Sequence, residues 1–464
     1  MTMSTEHRSH VLLISVIVVA LGLAAPLLGS APRFNAIAYL IATSLLSFEV
    51  IDVGVRVWLR RTVAPQPARA ENMVRWTANV GQPYALIMAV HDLQRDFDEL
   101  REAFGPYKSR TWIIDDCSTD NTVSLLRRDG WHCVSGEANR KKPGAIRELL
   151  RRLPKAIKTV VVLDPDARLK DAGVLQVSDL EIAIRTFQRN GAVACCPRIQ
   201  IRDYGFLGIF QALECELAFS LGRKGMSPHC VTSGVSIYDR AALEQALEQH
   251  SLSVYAEDLE NTLLLLARGG EILFDDGLVV ETDPKSTVRS WFSQRVGWSF
   301  GLIRVVRLKR RDILRIAHSG AWPFYNFAIY MCLLTVVLLP IKAAGILLLA
   351  LSFANGLDSF FSLDLIPNNA LTDPRYFAVT YTGYTLLVAA TMLELKPRLS
   401  ASTLLVAVPL FVFYAAAHVV PIATGFLNWL AFKTFGRRLY RDHYATDEEL
   451  FPAAAGVIAK EPSV

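Results

Sequence analysis

Cysteine is scarce in this sequence, with seven residues in 464, and nothing in their spacing suggests pairing. There is no Cys-x-x-Cys pattern and no spacing of the kind that ligates zinc. Six of the seven lie between residues 117 and 230, and Cys195 and Cys196 are adjacent, which does not suit an ordinary disulfide. These features exclude a disulfide-stabilised scaffold and favour a reduced, cytosolic domain with small buried thiols.

An excess of one charge sign is also lacking, and so are repeats and low-complexity tracts. The 49 basic and 44 acidic residues leave a net charge of +5, which is too small to indicate nucleic acid as a partner. Apolar residues are abundant instead: 52% of the chain is hydrophobic and 20% charged. Soluble proteins have roughly 45–50% apolar residues with glycine counted, and ~25% charged residues. The mixture excludes disordered and collagen-like chains and predicts membrane spans joined to a soluble domain.

Two apolar runs near the N-terminus predict transmembrane helices. Val11–Gly29 is uncharged and has about the ~20 residues that a bilayer helix needs; a cleaved signal peptide, with its apolar core of roughly 7–15 residues, is the alternative. Phe34–Leu59 is a second run, whose few charged side chains must lie near the interface or face protein. Arginines cluster at and after its end, at positions 56, 60, 61, 69 and 75. By the positive-inside rule, that end lies in the cytoplasm.

The C-terminal third is apolar again and predicts four further spans, near 323–340, 342–360, 376–394 and 403–421. Basic clusters precede and follow this part of the chain, at Arg304–Arg315 and Lys433–Arg441. Placing both clusters in the cytoplasm requires an even number of spans, which favours four over three. We therefore expect a multi-pass protein of the inner (plasma) membrane, with its central domain in the cytosol.

The central part, about 62–320, has the alternation of strands and helices that is typical of βαβ units. Short β-rich runs at Tyr84–Val90, Arg110–Asp115, Thr159–Asp164 and Ala192–Pro197 are separated by amphipathic stretches such as Asp92–Ala103 and Gly144–Leu153. This pattern predicts a mostly parallel α/β sheet. Ligands of such sheets bind beyond the carboxyl ends of the strands, so acidic residues that follow strands are the ones of interest.

Acidic residues follow two of these strands. Asp115 and Asp116 end one strand before a Ser-Thr-Asp turn, which taken alone is equally well read as a strand end and a helix cap. Asp164 and Asp166 end an almost fully apolar strand, and alternate residues of an extended segment point the same way. Both carboxylates could therefore approach one divalent cation, although Asp-x-Asp alone is a common pattern.

Two further segments carry chemistry only in combination. Glu257 and Asp258 open a helix, where acids also simply favour the helix dipole. Thr287–Val305 mixes aromatic residues with arginines around Gln294, Arg295 and Trp298, which suits a membrane interface. Gln211 and Glu214, on an earlier helix, are expected to pack.

Taken together and in this order, the four segments resemble a family 2 membrane glycosyltransferase, the family of the cellulose, chitin and hyaluronan synthases. The resemblance covers about residues 84–300. It implies a GT-A fold, that is, a nucleotide-sugar-binding α/β domain in the cytosol, inserted between transmembrane helices. The expected organisation is two N-terminal spans in 1–61, the GT-A domain in 62–285, interfacial amphipathic helices in 286–320, about four spans in 321–435 and a cytosolic tail in 436–464.

The resemblance also implies ligands and residue roles. It implies a UDP-sugar donor, a carbohydrate or lipid acceptor, and Mg²⁺ or Mn²⁺. Carried over by position, Asp258 is the catalytic base, and Asp166 with Asp164 would hold the metal. The donor-binding residues would be Asp92, Asp115, Asp116, Lys142, Asp164, Gln294, Arg295 and Trp298, and the acceptor residues Ser233, Gly234 and Glu257. One base and one metal permit a single in-line displacement, which would invert the anomeric centre and give a β-linkage.

The sequence departs from the family pattern in places that bear on product length. The arginine usually found before the interfacial tryptophan is replaced by Gly297, and we expect Arg295 to compensate by reaching the diphosphate. Three functions stay open: extension of a polysaccharide or oligosaccharide, with export through the chain's own spans; transfer of one sugar to a membrane lipid; and a degenerate transferase that acts as a scaffold or sensor. Retention of Asp116, Asp166 and Asp258 argues against the third.

Overall fold

The computed structural model describes residues 39, 41–43, 83–170, 178–202, 205–221, 223, 227–318, 339–367, 371–395 and 399–442. The chain divides into two compact units. One comprises Met1–Thr62, Glu216–Gly225 and Ile329–Ala423, and the other Val63–Cys215, Met226–Ala328 and Thr424–Val464. The spans predicted at Val11–Gly29, Phe34–Leu59 and 323–340 lie outside the described residues, apart from a few positions.

The second unit contains a mixed eight-stranded sheet. Its strands are β1 Tyr84–Val90, β2 Thr111–Asp115, β3 His132–Ser135, β4 Thr159–Leu163, β5 Arg168–Lys170, β6 Ala194–Ile201, β7 Ser236–Asp239 and β8 Ile272–Thr282, in the order β3-β2-β1-β4-β7-β6-β8-β5. Four of the seven strand pairings are parallel. The predicted α/β class with a mostly parallel sheet is confirmed.

The antiparallel strand β7, between β4 and β6, was not expected from the sequence. Two strand bounds also differ from the sequence expectation. The strand expected from Arg110 begins at Thr111, because Arg110 ends a 3-10 helix. The strand expected over Ala192–Pro197 runs over Ala194–Ile201, since it pairs with β8 beyond Pro197.

The helices of this unit alternate with the strands along the chain, and two of them follow the last strand. They are α1 Phe97–Phe104, α2 Thr122–Arg128, α3 Lys141–Arg152, α4 Asp179–Asn190, α5 Phe206–Glu214, α6 Arg240–Gln249, α7 Glu257–Leu266, α8 Val288–Leu308 and α9 Arg310–His318. The strand β4 is buried along its whole length, as expected for an apolar strand covered on both faces. The six cysteines in the described part are free thiols.

The first unit is helical and carries polar contacts inside it. Its helices include α10 Leu339–Phe361, α11 Pro374–Leu395 and α12 Ala401–Ala417, and α13 Val419–Phe435 crosses into the second unit. Asn355 Nδ2 donates to the Thr372 carbonyl over 2.8 Å. Two described helical stretches, Ile341–Phe361 and Ala401–Phe435, are long and apolar enough to cross a membrane. Long core helices of soluble proteins share this property, so it is necessary for a span and not sufficient.

Candidate active site

The carboxyl ends of β1, β2 and β4 meet at one edge of the sheet. The register pairs Val90 with Asp115 and Met88 with Leu163, because all three strands run parallel. The acidic residues that follow these strands are therefore neighbours in space although they are far apart in the sequence. This edge is where parallel sheets bind ligands, and it forms the floor of the site.

The loop after β2 is fixed by hydrogen bonds from its own backbone and from the start of α3. Asp115 is buried and its carboxylate accepts from the Ser118 amide over 3.3 Å. The Asp116 amide donates to the Val90 carbonyl over 2.8 Å, and Asp116 Oδ1 accepts from the Arg140 amide over 2.7 Å. Burial raises the pKa of the Asp116 carboxyl, although the amides of Arg140 and Lys141 oppose the shift. The Asp115 and Asp116 carboxylates thus hold the loop in place by accepting hydrogen bonds from backbone amides.

Asp92 holds the same loop from the β1 side. Its backbone adopts the left-handed conformation, with φ of 51°, which asparagine and aspartate tolerate better than most residues. Its Oδ1 accepts from the Thr119 amide over 2.7 Å, and its own amide donates to Ser118 Oγ over 2.9 Å. The Thr119 amide lowers the pKa of the exposed Asp92 carboxyl. Asp92 therefore braces the loop at the place where the sequence predicts the nucleotide.

Lys142 lies at the centre of a cluster of carboxylates. Its Nζ is 2.6 Å from Asp164 Oδ1 and 3.3 Å from Glu257 Oε1. Burial alone would lower the pKa of Lys142, but Asp164, Glu257 and Asp258 outweigh it and raise the pKa well above its ordinary value. Burial raises the pKa of Glu257, against the attraction of Lys142. The lysine is consequently a fixed positive charge that joins β4 to the start of α7.

Gly234 lies against Asp164 so closely that no side chain fits between them. A Cβ atom on Gly234 would be 1.8 Å from Asp164 Oδ2. The loop before β7 therefore contacts the Asp164 carboxylate with its backbone alone, and this contact restricts the orientation of that carboxylate. Glycine is required here for space, because its backbone adopts an ordinary conformation.

We expect Gly234→Ala to lower transfer activity by roughly a hundredfold, because displacement of a positioned group by about 1 Å can cost that much. The methyl group would have to push Asp164 away from Lys142. Steady-state kinetics and UDP titration would measure the effect. Gly105→Ala is the matched control, since a Cβ there meets nothing within 4 Å. Wild-type turnover by Gly234→Ala would contradict the positioning role of this contact.

The two carboxylates after β4 differ in their surroundings. Asp164 is engaged by Lys142, whereas Asp166 is exposed and has no ion pair within the described ranges. Surrounding protein still raises the pKa of Asp166, and the negative charge of Asp164 is the second cause. No group of three His, Cys, Asp or Glu residues able to hold a metal occurs among the described residues. The two carboxylates fit a hard cation that takes its other ligands from phosphate and water.

The start of α7 is held by a small network of hydroxyl groups. Thr232 Oγ1 and Thr262 Oγ1 each donate to the Asp258 carbonyl over 2.8 Å. The Asp258 backbone is thereby held in place, and the negative charge of its carboxylate contributes to the raised pKa of Lys142. Ser233 is buried and its hydroxyl donates to the Val235 carbonyl over 2.7 Å. Of the acceptor residues predicted from the sequence, Ser233 thus uses its side chain internally.

The interfacial motif on α8 is tied to α5. Arg295 is buried, and its Nε and Nη2 reach the two carboxylate oxygens of Glu214 over 3.2 and 2.6 Å. The guanidinium also bonds Gln294 Oε1 and lies 4.1 Å from the centre of the Trp298 ring. Glu214 thus engages Arg295 in this structure, and contact of Arg295 with a diphosphate stays a prediction. Glu214, expected only to pack, is its ionic partner.

Residues 90–247 match the family model described as Glycosyl transferase family 2. The chain carries a family 2 glycosyltransferase domain. This match starts at the end of β1 and ends in α6. It therefore includes the start of α3 with Lys142 and the loops that carry Asp92, Asp116, Asp164 and Asp166. No curated protein matches the chain significantly in sequence.

Several solved structures are similar to this chain. The mannosyltransferase PcManGT from Pyrobaculum calidifontis, in complex with GDP-Man and Mn²⁺, is 14% identical, covers 83% of this chain and 97% of its own, and has a TM-score of 0.46. Glucosyl-3-phosphoglycerate synthase from Mycobacterium tuberculosis, in complex with Mn²⁺, UDP-Glc and phosphoglyceric acid, is 16% identical. It covers 52% of this chain and 85% of its own, with a TM-score of 0.32.

The fold brings most of the predicted site residues to one edge of the sheet. Lys142, Asp164, Gly234 and Glu257 are in mutual or near contact, and Asp258 adjoins them. Arg295 and Gln294 form a separate group with Glu214. Sequence reasoning assigned no supporting contact to Ser118, Thr119, Thr232, Thr262 or Glu214, and Glu214 was expected only to pack. Only the Ser-Thr-Asp turn gave a signal for the first two, because short polar residues after a strand bind nearby backbone.

Proposed function

We propose that this chain is a membrane-embedded inverting β-glycosyltransferase that transfers a sugar from a UDP-sugar to a growing polysaccharide or oligosaccharide. The arrangement that carries the proposal is Lys142 between Asp164 and Glu257, beside Asp258. It offers a fixed positive charge and a further carboxylate near the same point, and Asp166, two residues after Asp164, completes a pair of acids for a cation. Export of the product through the chain's own spans extends the proposal.

The donor would bind at the carboxyl edge of the sheet. Asp92, Asp115 and Asp116 form the loop that would receive the uridine, and Lys142 would meet the diphosphate. A leaving nucleoside diphosphate gains negative charge, which preorganised positive groups stabilise most effectively in a partly dry site. Asp164 and Asp166 would hold Mg²⁺ or Mn²⁺, which when bound supplies Lewis-acid stabilisation of the same charge.

Asp258 would accept the proton of the attacking sugar hydroxyl. A positioned carboxylate contributes typically ~10²–10⁴-fold as a general base, and the hydroxyl bonds to the Asp258 carbonyl keep its backbone in place. Attack from this side and departure of the diphosphate on the other form a single displacement. The sugar would invert from an α-linked donor to a β-linked product.

Association with a membrane is supported by two observations. Ile341–Phe361 and Ala401–Phe435 have the length and hydropathy of spans, with mean values of 1.5 and 2.1 over their best windows. Arginines follow the second stretch at positions 437, 438 and 441, as the positive-inside rule expects of a cytoplasmic end. Together with the apolar runs that precede residue 62, they support the multi-pass arrangement around a cytosolic domain.

The second candidate is a non-processive transferase that adds one sugar to a membrane lipid. Glycine at 297, in place of the usual arginine, and the engagement of Arg295 by Glu214 favour it, because both leave the interfacial motif with less free positive charge. This reading shares the donor site and the base with the first. The two differ only in the acceptor and in the number of transfers.

Purified protein in lipid nanodiscs would test both readings. Incubation with Mn²⁺ or Mg²⁺ and a panel of UDP-sugars should release UDP, and product size would be measured by electrophoresis and mass spectrometry. A ladder or polymer supports the first reading, and a single-sugar glycolipid supports the second. UDP binding without hydrolysis or transfer under any condition would instead point to a degenerate scaffold or sensor.

A further inference from the structure

A buried ionic contact connects the C-terminal segment to the loop that precedes the candidate base. Tyr255 is fully buried, three residues before Asp258, and its hydroxyl is 2.7 and 2.8 Å from the two carboxylate oxygens of Asp442. Arg438 forms an ion pair with Asp442 over 2.8 Å and donates to the Tyr255 hydroxyl. The side chains of Arg438 and Asp442 are 5% and 0% exposed. Charges are buried in this way only where partners satisfy them.

Aromatic packing surrounds this contact and includes α8. The Arg438 guanidinium lies 4.7 Å from the centre of the Tyr255 ring and 4.8 Å from that of Phe300. The two rings are 4.9 Å apart, and Phe432 of α13 meets Phe300 edge-on at 6.0 Å. Cation–π contacts gain strength when they are desolvated. Loop, α8 and the C-terminal segment therefore form one packed layer.

Two glycines allow this layer to be tight. A Cβ on Gly301 would be 3.0 Å from Ala256, and one on Gly425 would be 2.6 Å from the Ser299 side chain. Such distances are shorter than ordinary side-chain contacts, so backbone meets backbone at both places. The start of α7 thus packs against α8, and α8 packs against α13.

The start of α7 depends on such outside support because it lacks a local cap. Ala256 occupies the N-cap position with φ of 52° and offers no side-chain acceptor, whereas Ser, Thr, Asp or Asn there would stabilise the first turn. On the other side of Asp258, Glu260 is wholly buried and pairs with Lys309 over 3.1 Å. Its carboxylate also accepts from the Ser251 amide over 2.8 Å. Asp258 therefore lies between two fixed residues: Tyr255, which contacts Asp442, and Glu260, which contacts Lys309 and Ser251.

We propose that Tyr255, Arg438 and Asp442 form a positioning latch, through which the segment after α13 holds the loop before α7 and thereby sets the place of the Asp258 carboxylate. The inference rests on the proposed role of Asp258 as the base. The latch joins Tyr255 to Arg438 and Asp442 and packs against Phe300. Loss of the latch would therefore affect turnover through the orientation of Asp258 and leave donor binding in place.

Tyr255→Phe and Asp442→Asn, made in the full-length protein in nanodiscs, test this latch. We expect each to lower kcat by about tenfold or more with little change in donor KM or UDP affinity. The double variant should lose no more than the worse single one, because both remove the same contact. Tyr440→Phe is the matched control: its hydroxyl lies in the same segment but meets Ser293 over 2.8 Å, and both kinetics and folding should stay at wild-type values.

Hydrogen–deuterium exchange separates the latch from the proposed function. In Tyr255→Phe, amides of residues 252–266 should exchange faster while those of β1 and β4 do not change. If the wild-type protein transfers no sugar but this local effect occurs, the proposed function fails and the latch stands. If Tyr255→Phe retains both wild-type kcat and wild-type exchange, or if the two single losses simply add, the latch is overturned.

Discussion

Asp258→Asn is expected to abolish sugar transfer while UDP affinity stays close to that of the wild-type protein. The amide has nearly the same shape but cannot accept a proton, and loss of a general base typically costs ~10²–10⁴-fold. The bonds from Thr232 and Thr262 reach the Asp258 carbonyl and not its side chain, so they survive the substitution. Lys142 also keeps Asp164 and Glu257 as partners, so the donor cluster should remain intact.

Two measurements check the role of Asp258. Turnover is followed by UDP release with acceptor present, and UDP binding by calorimetry on the same preparation. Glu257→Gln is the informative companion, because it removes a direct partner of Lys142 and should weaken donor binding as well as turnover. Substantial transfer by Asp258→Asn would refute the base assignment, and equal loss of UDP binding in both variants would show that Asp258 acts in the donor cluster instead.

The positions of the acids could be predicted from the sequence, because they depend on a local rule. Apolar runs of strand length that end in acids place those acids at the carboxyl edge of a parallel sheet, and β2 and β4 obey it at Asp115 and Asp164. The helix that begins at Glu257 was expected for a similar reason, since acids favour a first turn. The edge of the sheet and the start of α7 were therefore predictable.

The contacts between distant segments could not be predicted in the same way. Arg295 and Glu214 are 81 residues apart, and nothing in either neighbourhood distinguishes an arginine that meets a carboxylate from one that meets a diphosphate. The requirement for glycine at 234 comes from the close approach of Asp164, which follows a different strand, β4. The link from Tyr255 to Asp442 spans 187 residues. Such pairs are determined by tertiary packing, which periodicity in the sequence does not encode.

The candidate membrane helices could be predicted from the sequence in part. Hydropathy predicted spans at 342–360, 376–394 and 403–421, and the structure has helices over Leu339–Phe361, Pro374–Leu395 and the stretch from Ala401. Among the described residues, Ile341–Phe361 and Ala401–Phe435 are long and apolar enough to cross a membrane. Helix formation in an apolar run follows from local patterning, so this part was accessible from the sequence.

Asp166→Ala should remove metal-dependent activity and weaken the binding of Mn²⁺. The Asp166 carboxylate is exposed, and the negative charge of Asp164 helps to raise its pKa. A bound cation would therefore stabilise the ionised form of Asp166 more than that of Asp164, which already has Lys142 as a partner. Asp164 is already bonded to Lys142 over 2.6 Å and cannot replace the missing ligand without breaking that pair. We therefore expect the larger part of the metal affinity to depend on Asp166.

Electron paramagnetic resonance of free Mn²⁺, titrated with protein in the presence of UDP, measures this affinity without relying on turnover. We expect at least a tenfold weaker apparent affinity in Asp166→Ala. Asp98→Ala is the matched control, because Asp98 is an exposed aspartate that pairs with Arg101 on α1, and its loss should leave Mn²⁺ binding unchanged. Wild-type turnover in excess chelator, or unchanged Mn²⁺ affinity in Asp166→Ala, would contradict the metal role. A site built on Asp164 and Asp166 must bind the cation more weakly when the Asp166 carboxylate is removed.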